Sequence, residues 1–350
     1  MTSTGVMSGL PHPRRLLDLG PHDGAHRVAL RAGLAVGIPL VILWSIGRID
    51  LSLYTTFGAF TSFYGRSHTH LTRARLQATV AGAQVLAVAI GAVVAVSPDR
   101  TWLAVPVTAV YAGVVTLVSN VCGWRPAGSL FAVFALSASA SLPGDLADAA
   151  LAASLTAASA ALALLIGVLG LVRAGARQRA QSEWGIDPVK ASRRRAVWED
   201  VSRTAVVVGL AGAVPTALGL GYPYWAMVAA AASVSGQDVT SRFVRAGHRM
   251  VGTFLGVGIA AVILFLEPPA LLTIALLCVL QMCAELFVVR NYGLALIFVT
   301  PLALVMVALA HPLDPIALLR DRIVETAIGV AVVIGFTLVE HLGRRRRMRA

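Results

Sequence analysis

Apolar segments alternate with short polar segments along most of the chain, and they fall into two sets of six. Most approach the roughly 20 residues that an α-helix needs to cross a bilayer at about 1.5 Å per residue. The first set comprises residues 28–46, 51–64, 76–96, 102–118, 127–142 and 149–172, and the second comprises 201–220, 225–235, 250–266, 270–287, 293–310 and 323–342. The pattern predicts an all-α, polytopic membrane protein with about 12 transmembrane helices.

Segments 51–64 and 225–235 are short for a straight span, and each follows a segment that contains a proline (Pro39, Pro215). Short or broken helices at matching positions of two halves are typical of a transport path. We therefore interpret both as part of the membrane domain.

The distribution of positive charge predicts the orientation of these segments. Loops on the cytoplasmic side of a membrane are enriched in Lys and Arg. If all segments cross and the N-terminus is inside, every Lys and Arg except Arg48, Arg100, Arg320 and Arg322 lies on the inner side. If the two short segments did not cross, the basic stretch 173–200 would lie outside. We expect both termini to be cytoplasmic and the protein to be multi-pass in the plasma (inner) membrane.

The two halves of the chain resemble each other. The pattern Arg-x-x-x-Thr-x-x-Gly occurs at residues 75–82 and again at residues 249–256, each time near the start of a third segment. An even number of spans per half predicts parallel repeats, related by a pseudo-two-fold axis along the membrane normal. The expected organisation is a flexible cytoplasmic tail (1–26), a six-helix repeat (27–172), a basic cytoplasmic linker (173–200), a second six-helix repeat (201–342) and a basic tail (343–350).

Composition excludes most other classes of protein. Hydrophobic residues make up 57% of the chain and charged residues 13%, against about 25% charged in soluble domains; the mean hydropathy is +0.78. The net charge of +12 comes from short basic blocks without interleaved aromatic residues. We therefore expect contact with the bilayer, with anionic lipid at the basic loops, and no nucleic-acid partner.

The sequence offers no signal for a cofactor, a metal or an enzyme. The three cysteines form no Cys-x-x-Cys pair and are interpreted as small apolar residues. His68 and His70 are two residues apart in a loop, which is a weak metal spacing. There is no P-loop and no Gly-x-Ser-x-Gly motif, so neither ATP-driven transport nor hydrolase chemistry is indicated.

Polar residues concentrate in the stretch 285–301, between two apolar segments on the predicted cytoplasmic side. Glu285 and Arg290 could form a structural ion pair. Alternatively, Arg290 and Asn291 bind a carboxylate, with Tyr292 as a further donor, while Glu285 tunes or releases it. In either case this stretch is a candidate for an inner gate or entrance.

Four further charged residues are candidates for function. Arg75 and Arg249 are either anchors at helix ends or a pair of cations at the inner mouth of an anion path. The neighbouring Thr and Gly of each motif are expected to permit close helix packing. Arg322 and Glu325 share one helix face, so Glu325 is either a partner of Arg322 or a proton carrier.

The remaining polar and aromatic positions have simpler interpretations. Trp44 and Trp225 are expected at the membrane interface. Asp145 and Asp148 are expected to be solvated in an outer loop.

Several motifs together resemble the FUSC family, the fusaric acid resistance-like integral membrane transporters. They are Tyr222-Pro-Tyr-Trp225, Arg249-x-x-Gly-Thr-x-x-Gly256, Glu285 with Arg290-Asn291-Tyr292 and Thr300-Pro301, and Arg322-x-x-Glu325-Thr326-x-x-Gly329. The first half is a weaker copy, with Arg125-Pro126 in place of Arg290-Asn291.

The resemblance implies a proton-driven exporter of small organic acids, in particular aromatic acids. Substrate would then be bound by Arg75, Arg249, Arg290, Asn291 and Tyr292, with Glu285, Arg322 and Glu325 in proton coupling or ion pairs. Two alternatives stay open: a passive anion channel that resembles the plant malate channels, and a membrane scaffold without transport. The sequence also leaves open whether copies assemble into a homo-oligomer.

Overall fold

The computed structural model describes residues 25–66, 70–169, 191–236, 238–310 and 314–347. These residues form twelve α-helices and no β-strand. The helices are α1 (Ala25–Ser45), α2 (Ser52–Ala59), α3 (His70–Ala95), α4 (Arg100–Val121), α5 (Leu130–Ser141), α6 (Leu146–Val168), α7 (Ala191–Ala217), α8 (Tyr224–Val234), α9 (Val239–Leu266), α10 (Ala270–Phe287), α11 (Tyr292–Ala310) and α12 (Pro315–Arg347). The prediction of an all-α protein is confirmed.

Eight of these helices are long and apolar enough to cross a membrane: α1, α3, α4, α6, α9, α10, α11 and α12. Helices α5 and α8 are apolar but shorter. Apolar side chains on the outer faces of the long helices, such as Val110, Phe254 and Val262, are exposed in the isolated chain, as expected for surfaces that contact lipid. The chain is therefore a multi-pass helical membrane protein.

The short helices lie in the interior of the bundle. All eleven residues of α8 are buried, as are seven of the eight residues of α2 and most of α5. Short 3₁₀ turns, Ile49–Leu51 and Phe60–Phe63, extend α2 at both ends. Both segments that looked too short to span thus lie at the centre, surrounded by the long helices.

The same helix contacts recur in the two halves. Helix α3 packs against α5 and α6, and α9 packs against α11 and α12. Helix α2 packs against α6, and α8 against α12. Between the halves, α1 packs against α10 and α7 packs against α4, so the first helix of each half contacts the fourth helix of the other.

Acidic caps start two of the helices. Asp145 accepts a hydrogen bond from the backbone N–H of Asp148 at 2.9 Å, and the Asp148 carboxylate accepts one from the backbone of Asp145 at 3.0 Å. The same reciprocal arrangement joins Asp238 and Ser241 at the start of α9. Such caps typically contribute about 1 kcal/mol. Asp145 and Asp148 are exposed, as expected, but they also define the start of α6.

Two helices extend beyond the predicted membrane segments. Helix α7 begins at Ala191, inside the stretch predicted as a linker, and α12 continues to Arg347 in the predicted basic tail. Residues 191–200 contain two Ala and three Arg, which favour helix. Arg195 pairs with Glu199 one turn later at 3.1 Å. Residues 1–24 of the predicted tail (1–26), linker residues 173–190 and His68 lie outside the described residues, and the last two residues of the predicted tail belong to α1.

Glycines allow the interior helices to approach their neighbours. A Cβ on Gly58 of α2 would collide with the carbonyl oxygen of Thr156 on α6, and one on Gly329 of α12 would collide with that of Ala226 on α8. Gly256 of α9 is also closely packed, because a Cβ added to it would lie 2.6 Å from the Cβ of Thr300. A Cβ added to Gly82, the counterpart of Gly256, would have no neighbouring atom within 4 Å outside its own stretch of helix backbone. Close packing at the glycine of the repeated motif is therefore found in the second copy, and the prediction is wrong for Gly82 of the first copy.

We expect Gly58→Ala to destabilise the protein by about 1–3 kcal/mol, because the added methyl group must separate α2 from α6. The matched change Gly82→Ala adds the same methyl group to a helix where nothing opposes it, and should be neutral or stabilising by about 0.5–1 kcal/mol. Unfolding in detergent, followed by circular dichroism, measures both. Equal stability of the two variants would contradict the packing described here.

Candidate functional site

A cavity of about 100 Å³ lies between the two halves of the chain. The first half contributes α2, its following 3₁₀ turn and α5, and the second half contributes α8 to α12. Most of the lining is apolar, but Arg249, Gln281, Glu285, Tyr292 and Arg322 also reach it. The short interior helices α2, α5 and α8 therefore place apolar side chains in the same cavity as charged side chains of the second half.

Arg249 and Arg322 lie at this cavity with much of their hydrogen-bonding capacity unused. They are 2% and 1% exposed. Nε and Nη2 of Arg249, and Nε and Nη1 of Arg322, are buried without a hydrogen-bond partner. The two guanidinium groups are close enough to repel each other. Neither forms a salt bridge with a carboxylate in the described part of the chain.

Two aromatic side chains hold these arginines in place. The guanidinium carbon of Arg322 lies 3.9 Å from the ring centroid of Trp225, a cation–π contact. Nη1 of Arg249 donates to the Tyr292 hydroxyl at 3.3 Å. Trp225 is fully buried, so its prediction as an interfacial residue is wrong; α8 places it in the bundle centre, beneath Arg322. Trp44, in contrast, is exposed at the end of α1.

Glu325 is buried one turn along α12 from Arg322. Its Oε1 accepts a hydrogen bond from the backbone N–H of Tyr222 at 2.9 Å, and its Oε2 has no partner. The described structure contains no ion pair between Arg322 and Glu325, because Arg322 turns toward Trp225 instead. In the loop before α8, burial, aided by the carboxylates of Asp321 and Glu325, raises the pKa of the Tyr222 phenol.

Glu285 forms an ion pair across the two halves. Its carboxylate pairs with Arg66, which follows the 3₁₀ turn after α2, and both Nη atoms of Arg66 also donate to the Glu285 carbonyl oxygen at 3.1 Å. The predicted pairing of Glu285 with Arg290 is wrong, because α10 ends at Phe287 between them. The Arg290 guanidinium carbon instead lies 5.9 Å from the Phe287 ring centroid.

The remaining predicted binding residues are not brought to the cavity. Asn291 is buried, and its Oδ1 accepts from the backbone N–H of Leu294 at 3.0 Å, which caps the start of α11. Arg75 is exposed on α3. Neither these two nor Arg290 lines the cavity, whereas Arg249, Tyr292, Glu285 and Arg322 do.

Sequence reasoning missed Arg66, Gln281 and the phenylalanines of the first half. Gln281 is buried on α10 with its Oε1 unpartnered. An uncharged polar residue inside the apolar segment 270–287 was a usable signal, because such residues in a membrane helix usually have a partner or a function. The phenylalanines gave no signal, because an apolar side chain in an apolar segment is the ordinary case.

Metal ligands are not grouped anywhere in the described residues, which contain no cluster of three or more His, Cys, Asp or Glu side chains. The three cysteines are free and partly buried. Cys278 faces Gly37 of α1, where an added Cβ would lie 2.6 Å from its sulfur. It thus acts as a packing residue between α1 and α10.

Comparison with known proteins finds a family similarity in the second half. Residues 210–336 match the family model described as fusaric acid resistance protein-like. This segment is similar to that family. The resemblance inferred from the motifs is thereby confirmed, over a segment that contains Arg249, Glu285, Arg322 and Glu325. The first half lies outside the matched residues.

A curated relative matches over a shorter stretch. It is the "Uncharacterized membrane protein YvaC" of Bacillus subtilis (strain 168), 38% identical over 95 residues, which cover 27% of this chain and 15% of that protein. The matched stretch is therefore a small part of the relative. No solved structure matches the chain. The fusaric acid resistance protein-like segment and the membrane-protein relative agree with the transmembrane architecture.

Because Glu285 is buried, we expect Arg66→Ala to destabilise the protein by about 3–5 kcal/mol, as found when one partner of a buried ion pair is removed. The double change Arg66→Glu with Glu285→Arg should recover part of this loss. Thermal unfolding in detergent measures the three proteins. The control is Arg48→Ala, which removes the exposed ion pair between Arg48 and Asp50 and should change stability little. An Arg66→Ala protein as stable as Arg48→Ala would contradict a structural role of the pair.

Proposed function

We propose that the protein is a secondary transporter of small organic anions and that the cavity between the halves is its binding site. The observation that carries this proposal is the pair of buried arginines with unpaired N–H groups. Its more specific form is the export of small, in particular aromatic, acids driven by the proton gradient across the plasma membrane. The fusaric acid resistance protein-like segment supports transport in general, since it contains both arginines.

Electrostatics favours an anion at this site. A buried charge without a counterion costs several kcal/mol, and two like charges side by side add to that cost. A carboxylate can accept parallel hydrogen bonds from a guanidinium fork, which are among the stronger hydrogen bonds in proteins. One bound carboxylate would therefore satisfy the free N–H groups of Arg249 and Arg322 and remove their repulsion.

The helix contacts support a two-repeat arrangement of the membrane domain. Each half places its third helix against its fifth and sixth, and its first helix against the fourth of the other half. We propose that the halves are parallel repeats and move against each other around the cavity. The Arg66–Glu285 pair joins the halves at the end of the cavity where the basic loops predict the cytoplasm. It is suited to be the inner gate.

Glu325 is the best candidate for proton coupling. It is buried one turn along α12 from Arg322, which lines the cavity, and one of its carboxylate oxygens is unpartnered. Ionisable groups inside a membrane segment commonly belong to proton relays. A passive anion channel would use the same arginines but would have no need of a buried carboxylate beside them.

Measurements of transport rate test whether Arg249 and Arg322 bind the anion. We expect Arg322→Lys and Arg249→Lys to reduce uptake of benzoate into proteoliposomes about 10- to 100-fold, equivalent to roughly 1.5–3 kcal/mol for a hydrogen bond to a charged group. Lysine keeps the charge but lacks the planar fork. Arg320→Lys on the same helix is the control, because Arg320 is exposed and pairs with Asp321. Unchanged flux in both buried variants would disprove the site.

Proton coupling is tested separately. We expect Glu325→Gln to abolish accumulation of benzoate driven by a pH gradient while exchange of labelled for unlabelled benzoate continues, because exchange requires no net proton movement. Both assays use the same proteoliposomes, with and without an imposed gradient. Wild-type flux that ignores the gradient would contradict the coupled mechanism and favour the channel.

A further inference from the structure

The cavity has two chemically different walls, one from each half of the chain. Among the described lining residues, all those with a charge lie on α9, α10 and α12 of the second half. The first half supplies phenylalanine and leucine side chains, and Thr56 as its polar lining residue. The Thr56 hydroxyl already donates to the Ser52 carbonyl oxygen at 2.8 Å.

The phenyl rings of the first half form one continuous surface. Ring centroids of Phe60 and Phe131 are 5.0 Å apart, those of Phe60 and Phe63 are 5.1 Å apart, and those of Phe63 and Phe131 are 5.2 Å apart. Phe134 continues this surface to the second half, 5.2 Å from the Trp225 ring that lies beneath Arg322. We call the four phenylalanines 60, 63, 131 and 134 the phenyl wall. It lines the same cavity as the arginines and offers no hydrogen-bond donor.

We propose that the two walls divide the recognition of the anion. Arg249 and Arg322 of the second half bind its single carboxylate, and the phenyl wall selects the size and polarity of the rest of the molecule. This inference rests on the proposed function, because it concerns the same cavity. It assigns the site to compact monocarboxylates with an apolar body, and it makes the phenylalanines of the first half the specificity-determining residues.

Dicarboxylates are excluded by the same geometry. With one carboxylate on the arginines, a second one would lie against the phenyl wall. An ionised carboxylate that leaves water without a hydrogen-bond donor or a cation meets a large desolvation penalty. A monocarboxylate with an apolar body places only carbon atoms there. Charge alone would not make this distinction, since two arginines could otherwise attract a doubly charged anion more strongly.

The size of the cavity sets an upper limit on the apolar body. Its volume is about 100 Å³, whereas an apolar cavity of about 150 Å³ in another protein takes up benzene. A single ring therefore requires side chains to move and enlarge the cavity, and a fused double ring requires a larger movement. Changing a wall phenylalanine to leucine should enlarge the space on the side away from the arginines.

Phe57 provides a matched control for the phenyl wall. Its ring contacts Phe134 at 5.2 Å and Phe60 at 5.9 Å, so it belongs to the same aromatic cluster. It is fully buried and does not line the cavity. A change from phenylalanine to leucine at position 57 disturbs the packing behind the wall without removing a surface from the cavity.

The experiment measures uptake of benzoate, 2-naphthoate and succinate by the full chain in proteoliposomes. We expect wild type to take up benzoate well and the other two poorly. Phe131→Leu should raise the ratio of 2-naphthoate to benzoate uptake at least about tenfold, the lower end of size discrimination in apolar enzyme pockets. Phe57→Leu should leave the ratio unchanged. Arg322→Lys should lower uptake of all transported acids by the same factor.

The outcomes separate this inference from the proposed function. If wild type moves none of the three acids, and none shifts its thermal unfolding, the proposed function fails and the inference fails with it. If benzoate moves but Phe131→Leu and Phe57→Leu give the same ratio, only the phenyl wall is disproved. Wild-type uptake of succinate as fast as that of benzoate would equally overturn the division between the walls.

Discussion

The burial of positive charge at Arg249 and Arg322 is the constraint on which the rest of the site depends. Inside a bilayer, an unpaired cation is costly, and these two repel each other. The fold limits the cost with Trp225, whose ring lies against Arg322, and with the Tyr292 hydroxyl. The contact with Trp225 requires α8 to lie in the bundle centre, because Trp225 belongs to that helix. That position in turn requires Gly329, where a side chain would collide with the backbone of α8.

Ion pairs toward the predicted cytoplasmic side hold the helices around this centre. Arg66 and Glu285 join the first half to the second. Within the second half, Glu340 on α12 accepts from Arg203 on α7 at 2.8 Å and from Arg242 on α9 at 3.2 Å. Each of these arginines has a carboxylate partner, so they are compensated charges. Arg249 and Arg322 differ from these arginines, because neither forms a salt bridge with a carboxylate in the described residues.

Local features of the sequence predicted the helices well. Helix α10 has the bounds of the predicted segment, 270–287, because a long apolar run between polar loops determines a membrane helix with little help from its surroundings. Contacts between distant residues were beyond sequence reasoning. The partner of Glu285 lies 219 residues away in the chain, so the nearby Arg290 was the natural but wrong candidate. Tryptophan is a residue type that is common at membrane interfaces, which is why Trp225 was predicted there. Only the packing of α8 shows that its side chain is buried. Gly82 and Gly256 share one motif, yet only the second faces a neighbouring helix.

The chemical difference between the two walls also limits which combinations of the two halves can form this cavity. Two identical six-helix subunits facing each other across a two-fold axis would present the same side chains from both sides. Such a dimer would have either cations on both walls or phenyl rings on both walls. A single chain whose two halves differ in sequence provides one charged wall and one phenyl wall. If the cavity binds an anion as proposed, the anion has one preferred orientation, with its charge toward α9 and α12 and its body toward α5.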